Sequence, residues 1–393
     1  MRTLKSISDR LNQARNKTYT HNTSSTAKEN TQINNSTEMF CGTLEDAIDL
    51  YYDDKIDDAI HILEKISKND PTSKCYHYLG LCYSSQNEYR KAIDHFNLSL
   101  DINPNNVKSL IEKGSILYEH LDKFDEAIDL ADIAISLNSQ NAWGYSLRGK
   151  VHYAKSEFNK AIKDFTKAII LDKGEFAWFY YYRGVSYKAN EQLNKAKCDI
   201  ERAIQVKDSV QNFYYELGLI QNTLDEDLEA IQSISKAIDL CENDVPASYF
   251  GNRGSIYSFL GDYDKAIVDL EKAITLDPKY DFAYKIIGYI YMELEKEEEA
   301  LDNYKKAVDI DVDYSDAYDK MALCYLILDN MEIAKEAAEE ALEINPNLIT
   351  SLNILGTYYL NIEQQVRAKR YFSRSLDIDP EHEYAIEHLQ KCN

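Results

Sequence analysis

The amino-acid sequence predicts an all-α protein built from tandem helical hairpins. Apolar residues recur at helical spacing in paired runs, as in Ala247–Asp277, where a Gly-Asp turn signal separates the two runs. The same pattern returns every 33 to 36 residues. Five units end in Asp-Pro or Asn-Pro, where a helix cannot readily continue. These three observations favour a solenoid, in which each hairpin buries its apolar face against its neighbours.

Two small residues mark every unit. An alanine stands at the same place in ten successive units, and a glycine or another alanine stands 12 or 13 residues before it. Small residues let two crossing helices approach closely. We therefore expect each unit to consist of two tightly crossed helices, A and B. The alanines of helix B are Ala59, Ala92, Ala127, Ala161, Ala196, Ala230, Ala266, Ala300, Ala334 and Ala368, and the small residues of helix A are Ala47, Gly80, Gly114, Gly149, Gly184, Gly218, Gly254, Gly288, Ala322 and Gly356.

The segment 1–39 differs from the repeats. Ser, Thr and Asn dominate residues 18–37 and apolar residues are few, which predicts a disordered tail. A second interpretation is a targeting presequence, because Leu4, Ile7 and Leu11 could form one or two amphipathic turns. An acidic residue within this short apolar stripe favours the tail.

We predict ten tandem repeats over residues 40–382 and a C-terminal capping helix over 383–393. The segment after Pro380 mixes apolar residues with charges, as expected of a helix that covers the last open hairpin. The sixth unit departs most from the pattern, because it lacks two of the usual aromatic residues and ends in a longer loop, Glu242–Pro246. This departure predicts a weak joint within Gln211–Pro246; a continuous rod with one longer loop is the alternative.

The chain is strongly acidic. Its 393 residues include 44 Lys and Arg against 67 Asp and Glu, a formal net charge of −23. Such a charge repels phosphate backbones, so nucleic acid is not an expected partner. No apolar run is long enough to span a membrane, and the first residues lack the apolar region of a secretory signal. Seven scattered cysteines without a C-x-x-C pair fit a reduced, cytoplasmic compartment.

The sequence carries none of the catalytic motifs that would indicate an enzyme. A nucleophile-elbow serine motif, a phosphate-binding loop, a dinucleotide-binding glycine fingerprint and an H-E-x-x-H zinc motif are all absent. The eight histidines are dispersed along the chain. We therefore expect no enzymatic activity, no cofactor and no bound metal.

The repeating unit resembles the tetratricopeptide repeat. The second unit matches that motif almost completely, with an early aromatic, Leu-Gly, a Tyr three residues later, and then Ala, an aromatic and Pro. The resemblance covers about nine tenths of the chain and implies a right-handed superhelical solenoid of about ten helix-turn-helix repeats. It also implies that A helices line a concave surface where partners bind. The matching residues are Tyr76, Leu79, Gly80, Tyr83, Ala92, Phe96 and Pro104.

The expected binding groove is aromatic and basic in units two to six. Within each helix A, the second, fifth, ninth, twelfth and thirteenth residues fall on one helical face. Later units give a more acidic face, which includes Lys285, Tyr289, Asp316 and Asp319. The candidate groove residues are Lys74, Lys108, Trp143, Lys150, Tyr153, Trp178, Tyr181, Lys188 and Tyr215.

We interpret this face as a groove for an extended or helical segment of a protein or peptide partner that carries acidic residues. The alternative for the two tryptophans, Trp143 and Trp178, is that they pack between adjacent A helices and touch no ligand. The expected function is a non-enzymatic scaffold or adaptor. Two alternatives are a regulatory peptide sensor and the non-catalytic subunit of a multi-protein enzyme. Charge reversals on helix B, for example Asp164→Lys, are expected to have little effect on partner binding. The sequence does not indicate the oligomeric state.

Overall fold

The computed structural model describes residues 42–392, and these form 21 α-helices without a β-strand. Consecutive helices pair into ten antiparallel hairpins, each with an odd-numbered helix A and an even-numbered helix B, and α21 follows the last hairpin. The predicted fold class, an all-α solenoid of about ten hairpins, is therefore confirmed. The helices are α1 (Leu44–Tyr52), α2 (Ile56–Asn69), α3 (Ser73–Ser85), α4 (Tyr89–Ile102), α5 (Val107–Leu121), α6 (Phe124–Leu137), α7 (Ala142–Ala154), α8 (Phe158–Leu171), α9 (Ala177–Ala189), α10 (Leu193–Val206), α11 (Gln211–Thr223), α12 (Asp227–Asp239), α13 (Ala247–Phe259), α14 (Tyr263–Leu276), α15 (Asp281–Glu293), α16 (Glu297–Ile310), α17 (Ser315–Ile327), α18 (Met331–Ile344), α19 (Ile349–Asn361), α20 (Gln365–Ile378) and α21 (Glu383–Lys391).

The small residues lie where the two helices of a hairpin cross. A Cβ atom added at Gly218 would stand 2.6 Å from Cγ1 of Ile234 and 3.0 Å from the carbonyl oxygen of Ala230. Ala230 itself is completely buried. The crossing therefore has no room for a larger side chain, which is why small residues recur at these two places.

Every turn from helix A to helix B contains one residue in the left-handed backbone region. Only the seventh repeat has glycine there, Gly261, with φ of 77°. The other nine turns use larger residues at φ between 53° and 62°, although this region favours glycine. These residues are Asp54, Asn87, Asp122, Ser156, Glu191, Asp225, Glu295, Asp329 and Glu363.

The described residues divide into two compact units, with the boundary between Val206 and Lys207. The first unit holds α1 to α10 and the second holds α11 to α21. The boundary precedes the sixth repeat and does not fall in its long loop; the weak joint expected there stays a prediction. The segment 1–39, predicted to be a tail, lies outside the described residues.

Arginine–aspartate pairs link helices A and B in three repeats. In the fourth repeat Arg148 donates from Nε and Nη2 to the carboxylate of Asp164, at 2.8 and 2.7 Å. Its Nη1 donates to Asp132 of the preceding repeat at 2.5 Å. Asp164 is only 4% exposed, so it is a structural residue of the hairpin, and the expected small effect of its charge reversal on partner binding stays a prediction. The equivalent pairs are Arg183–Asp199 and Arg253–Asp269.

Candidate partner-binding surface

In the first unit, A helices of consecutive repeats lie against each other, so their side chains meet across repeats. Helix α3 contacts α5, α5 contacts α7, and α7 contacts α9. This stacking decides which of the predicted groove residues come together.

Trp143 lies between the fourth and fifth repeats. Its ring centroid is 4.8 Å from that of Phe176 and 5.2 Å from that of Phe179, both in edge-to-face geometry. Phe179 is 1% exposed, while Trp143 is partly exposed. The indole therefore contributes to packing between repeats, as the alternative interpretation expects; a contact of the same ring with a partner stays a prediction.

Trp178 and Tyr181 are more buried than is expected of residues that line an open binding groove. They are 5% and 6% exposed, and their ring centroids are 5.3 Å apart. Tyr182, which the sequence analysis did not select, lies 5.5 Å from Tyr181 and 6.1 Å from Trp178. It follows Trp178 by four residues on α9, and that spacing places both on one helical face. The three rings form an aromatic wall.

Lys150 joins this aromatic wall to the third repeat. Its Nζ lies 5.0 Å from the ring centroid of Tyr182 and 3.2 Å from Oε1 of Glu119. The side chains of Lys150 and Glu119 are 16% and 17% exposed. Three consecutive A helices, α5, α7 and α9, thus supply one group. We call Glu119, Lys150, Trp178, Tyr181 and Tyr182 the A-face cluster.

The remaining predicted residues do not all join this cluster. Lys74 is exposed and pairs with Glu45 at 3.4 Å, and Lys108 is exposed at the start of α5. Tyr153 and Lys188 are partly exposed near the carboxyl ends of α7 and α9. Tyr215 belongs to the second unit.

Tyr215 makes its described contacts within the second unit. Its ring stacks on Tyr249 with centroids 4.0 Å apart, and its hydroxyl accepts a hydrogen bond of 2.8 Å from the side-chain amide of Asn252. Of the nine candidate residues, the described contacts bring Lys150, Trp178 and Tyr181 together around Tyr182. Repeat position alone does not specify which of them share contacts.

A buried histidine lies on the same face in the second repeat. His77 is 6% exposed, and its Nδ1 lies 2.9 Å from the hydroxyl of Ser109. Burial, together with the positive charge of Lys108, lowers the pKa of His77 to about 4. The neutral imidazole is therefore the stable form at neutral pH.

The A face of the second unit is charged but internally paired. The hydroxyl of Tyr289 donates to Asp316 at 2.9 Å, and Nζ of Lys285 lies 3.6 Å from the same carboxylate. Asp319, only 3% exposed, accepts hydrogen bonds from both the backbone N–H and the hydroxyl of Ser351. These contacts give the predicted acidic residues structural partners within the repeats.

Neither a metal site nor a membrane-spanning helix is found in the part of the chain that the structure describes. No group of three or more His, Cys, Asp or Glu side chains is arranged to hold a metal ion within residues 42–392. Among the described helices, none is both long and apolar enough to cross a bilayer.

Comparison with known families identifies the repeat. Two family models described as tetratricopeptide repeats match residues 73–106, 247–280, 283–313 and 315–348. The matches coincide with the hairpins α3–α4, α13–α14, α15–α16 and α17–α18. The chain contains tetratricopeptide repeats. Neither model describes a catalytic domain, and this repeat fold typically serves as a scaffold for protein–protein interaction.

Curated relatives match the chain over short segments. The small glutamine-rich tetratricopeptide repeat-containing protein 2 of Mycosarcoma maydis is 40% identical over 60 residues, which are 15% of this chain and 16% of that protein. Human tetratricopeptide repeat protein 6 is 40% identical over 62 residues, 16% of this chain and 11% of that protein. The matched segments thus span less than a fifth of either relative.

Among solved structures, that of Pseudomonas aeruginosa PilF matches with a TM-score of 0.50 at 17% identity. The match covers 55% of this chain and 97% of PilF. At this identity the similarity supports the fold alone.

Proposed function

We propose that this tetratricopeptide-repeat protein is a non-enzymatic scaffold or adaptor that holds an acidic segment of a partner protein against the A-face cluster. The observation that carries the proposal is the environment of Lys150. This cation lies 5.0 Å from the ring centroid of Tyr182, which neighbours Tyr181 and Trp178, on a face assembled from three consecutive repeats. Aromatic surroundings limit its hydration, which strengthens its attraction to a carboxylate.

Glu119 supports the choice of an acidic ligand. Its carboxylate already lies 3.2 Å from Nζ of Lys150, so the surroundings of this lysine accept a carboxylate oxygen. A ligand carboxylate would join or replace it, while the partly exposed Tyr153 and Lys188 would extend the contact along the A helices. The buried Trp178 and Tyr181 would mainly form the wall that holds Lys150 and the edges of the tyrosine rings in position.

Site-specific crosslinking tests this proposal even though the partner is unidentified. Replacing Tyr153 with photoreactive benzoylphenylalanine should capture the partner from a cell extract, and mass spectrometry should locate the crosslink in an acidic segment. The matched control places the same group at Lys163, an exposed helix-B residue of the same repeat. Equal capture from both positions would contradict an A-face site.

Affinity measurements with the captured partner then test the role of the cation. Lys150→Gln should weaken binding by about 2 kcal/mol, as expected on removal of one member of a desolvated charge pair. Lys163→Gln should leave the dissociation constant unchanged. If Lys150→Gln binds as wild type does, or if the crosslinked segment is basic, the proposed function is wrong.

Trp178→Ala separates a binding role from a packing role for the aromatic wall. If the indole is also a central anchor, Trp178→Ala should weaken binding by about 2 kcal/mol or more. A lowered melting temperature with unchanged affinity would assign Trp178 to packing alone. The sensor and enzyme-subunit alternatives stay predictions.

A further inference from the structure

The second unit contains a cavity of about 410 Å³ that the proposed scaffold function does not use. It lies where the loop before α13 meets the carboxyl end of α14 and the start of α15. Its volume falls in the range of small-ligand pockets. We call it the loop pocket; its lining includes Asp244, Val245, Pro246, Leu276, Asp277 and Tyr280.

Two departures from the repeat pattern build this pocket. The interval between repeat alanines is longest here, 36 residues from Ala230 to Ala266, and the additional residues lie in the loop that contains Asp244 and Val245. The second departure is Gly251 in the middle of α13. A Cβ atom there would stand only 2.8 Å from the hydroxyl oxygen of Tyr280, so glycine lets that ring lie against the helix.

The walls of the loop pocket combine apolar surface with negative charge. Val245, Pro246 and Leu276 supply aliphatic surface, and Leu276 is 42% exposed although it is apolar. Tyr280 supplies an aromatic ring. A long side chain with a polar end would be covered along its stem by such walls.

The two carboxylates in the pocket wall are not neutralised by a basic side chain of the described residues. Asp244 and Asp277 are both exposed, and within residues 42–392 no lysine or arginine side chain forms an ion pair with either. One oxygen of Asp277 accepts the backbone N–H of Lys279 at 3.0 Å, which orients the carboxylate. Asp277 also caps the carboxyl end of α14, where the helix dipole favours positive charge.

We propose that the loop pocket binds an arginine side chain of a partner protein. The aliphatic stem would pack on Val245 and Leu276, while the guanidinium would stack on Tyr280 and pair with Asp244 and Asp277. Arginine suits this set because its planar, weakly hydrated cation both stacks on aromatic rings and forms paired hydrogen bonds with carboxylates. This surface belongs to repeats six to eight and is independent of the A-face cluster.

Methyl NMR spectroscopy of the full chain tests the proposal, because Val245 and Leu276 carry methyl groups in the pocket wall. The probe is Nα-acetyl-arginine N-methylamide, and the control compound is its citrulline analogue, which has the same shape without the charge. We expect saturable shifts of both sets of methyl resonances with the arginine probe. The citrulline analogue should bind at least about tenfold more weakly.

A matched pair of protein variants completes the test. Replacing both pocket aspartates, Asp244→Asn with Asp277→Asn, should weaken the arginine probe by about tenfold or more. Asp264→Asn, at an exposed position of α14 outside the pocket, should change nothing. The proposal is overturned if the methyl shifts do not saturate, if citrulline binds as well as arginine, or if the double variant keeps wild-type affinity.

Discussion

The Arg148–Asp164 pair gives a quantitative test of how the repeats of the first unit are held together. Asp164 is 4% exposed and receives two hydrogen bonds from Arg148, which also reaches Asp132 of the preceding repeat. Removing one member of a buried ion pair costs about 3–5 kcal/mol, because the other charge stays buried. The side chain of Arg148 is 25% exposed, so we expect Asp164→Asn to cost about 3 kcal/mol, at the lower end.

Two comparisons separate this pair from ordinary surface charge. Asp132 has a side chain 52% exposed, so Asp132→Asn should cost less than about 1 kcal/mol. Replacing both members of the buried pair with apolar residues, as Arg148→Met with Asp164→Leu, should recover most of the loss, because no unpaired buried charge remains.

Urea unfolding followed by circular dichroism measures the overall loss, and hydrogen exchange in α7 and α8 locates it. Local measurement is needed because the stability of a solenoid is approximately a sum of repeat and neighbour contributions. A change below about 0.5 kcal/mol for Asp164→Asn would refute the reasoning, since ordinary surface substitutions lie within that range. A double variant as unstable as the single one would show that packing, and not the charge, was lost.

Three further predictions follow from the packing, from a buried histidine and from the first residues. Gly218→Leu should destabilise the protein by about 1–3 kcal/mol in urea unfolding, because Ile234 leaves no space for a side chain at Gly218. An unchanged midpoint of unfolding would contradict a tight helix crossing. The pKa of His77 is lowered to about 4 in the folded protein, whereas it is near 6.5 in the unfolded chain. Protonation therefore favours the unfolded chain, and about 2 kcal/mol of the free energy of unfolding should be lost as pH falls from 7.5 to 5. That loss should shrink in His77→Gln and persist in the exposed control His61→Gln, as measured by urea unfolding at each pH. Deleting residues 1–38 should leave the melting temperature unchanged, because the segment has too little apolar surface to contribute to a core; a fall of many degrees would show that it docks.

The fold could be predicted from the sequence because the repeat makes each signal recur. One glycine at helical spacing means little, but a small residue at the same place in ten units specifies the crossing of two helices. The left-handed turns are harder to recognise in the sequence. Glycine, the residue that usually marks such a turn, is present in only one of them, at Gly261. Glu191, Glu295 and Glu363 adopt the same conformation within the geometry that the two packed helices impose.

The candidate site could be predicted only in part, because repeat position specifies the face of a helix and not the depth of a side chain. The pattern selects Lys150 and Trp178 but not Tyr182, although its spacing from Trp178 could have indicated it. The burial of Trp178 depends on neighbouring rings of the same helix. Aligning the repeats one position at a time does not show such contacts between neighbouring residues. The structural role of Asp164 is hidden in the sequence for a related reason. A carboxylate on helix B resembles a surface charge in the sequence, whereas Arg148, sixteen residues earlier, makes it part of the hairpin.

The arginine–aspartate pairs between helices A and B also distinguish this protein from a uniform array of repeats. An Arg before the helix-A glycine is matched by an Asp three residues after the helix-B alanine in the fourth, fifth and seventh repeats. In each of these repeats the arginine also donates to helix B of the preceding repeat, to Asp132, Thr166 or Ser235. Each pair therefore joins two repeats as well as two helices. The A-face cluster draws on the third to fifth repeats, which two of these pairs join, so its geometry and the local stability of the array should change together when Arg148 or Arg183 is replaced.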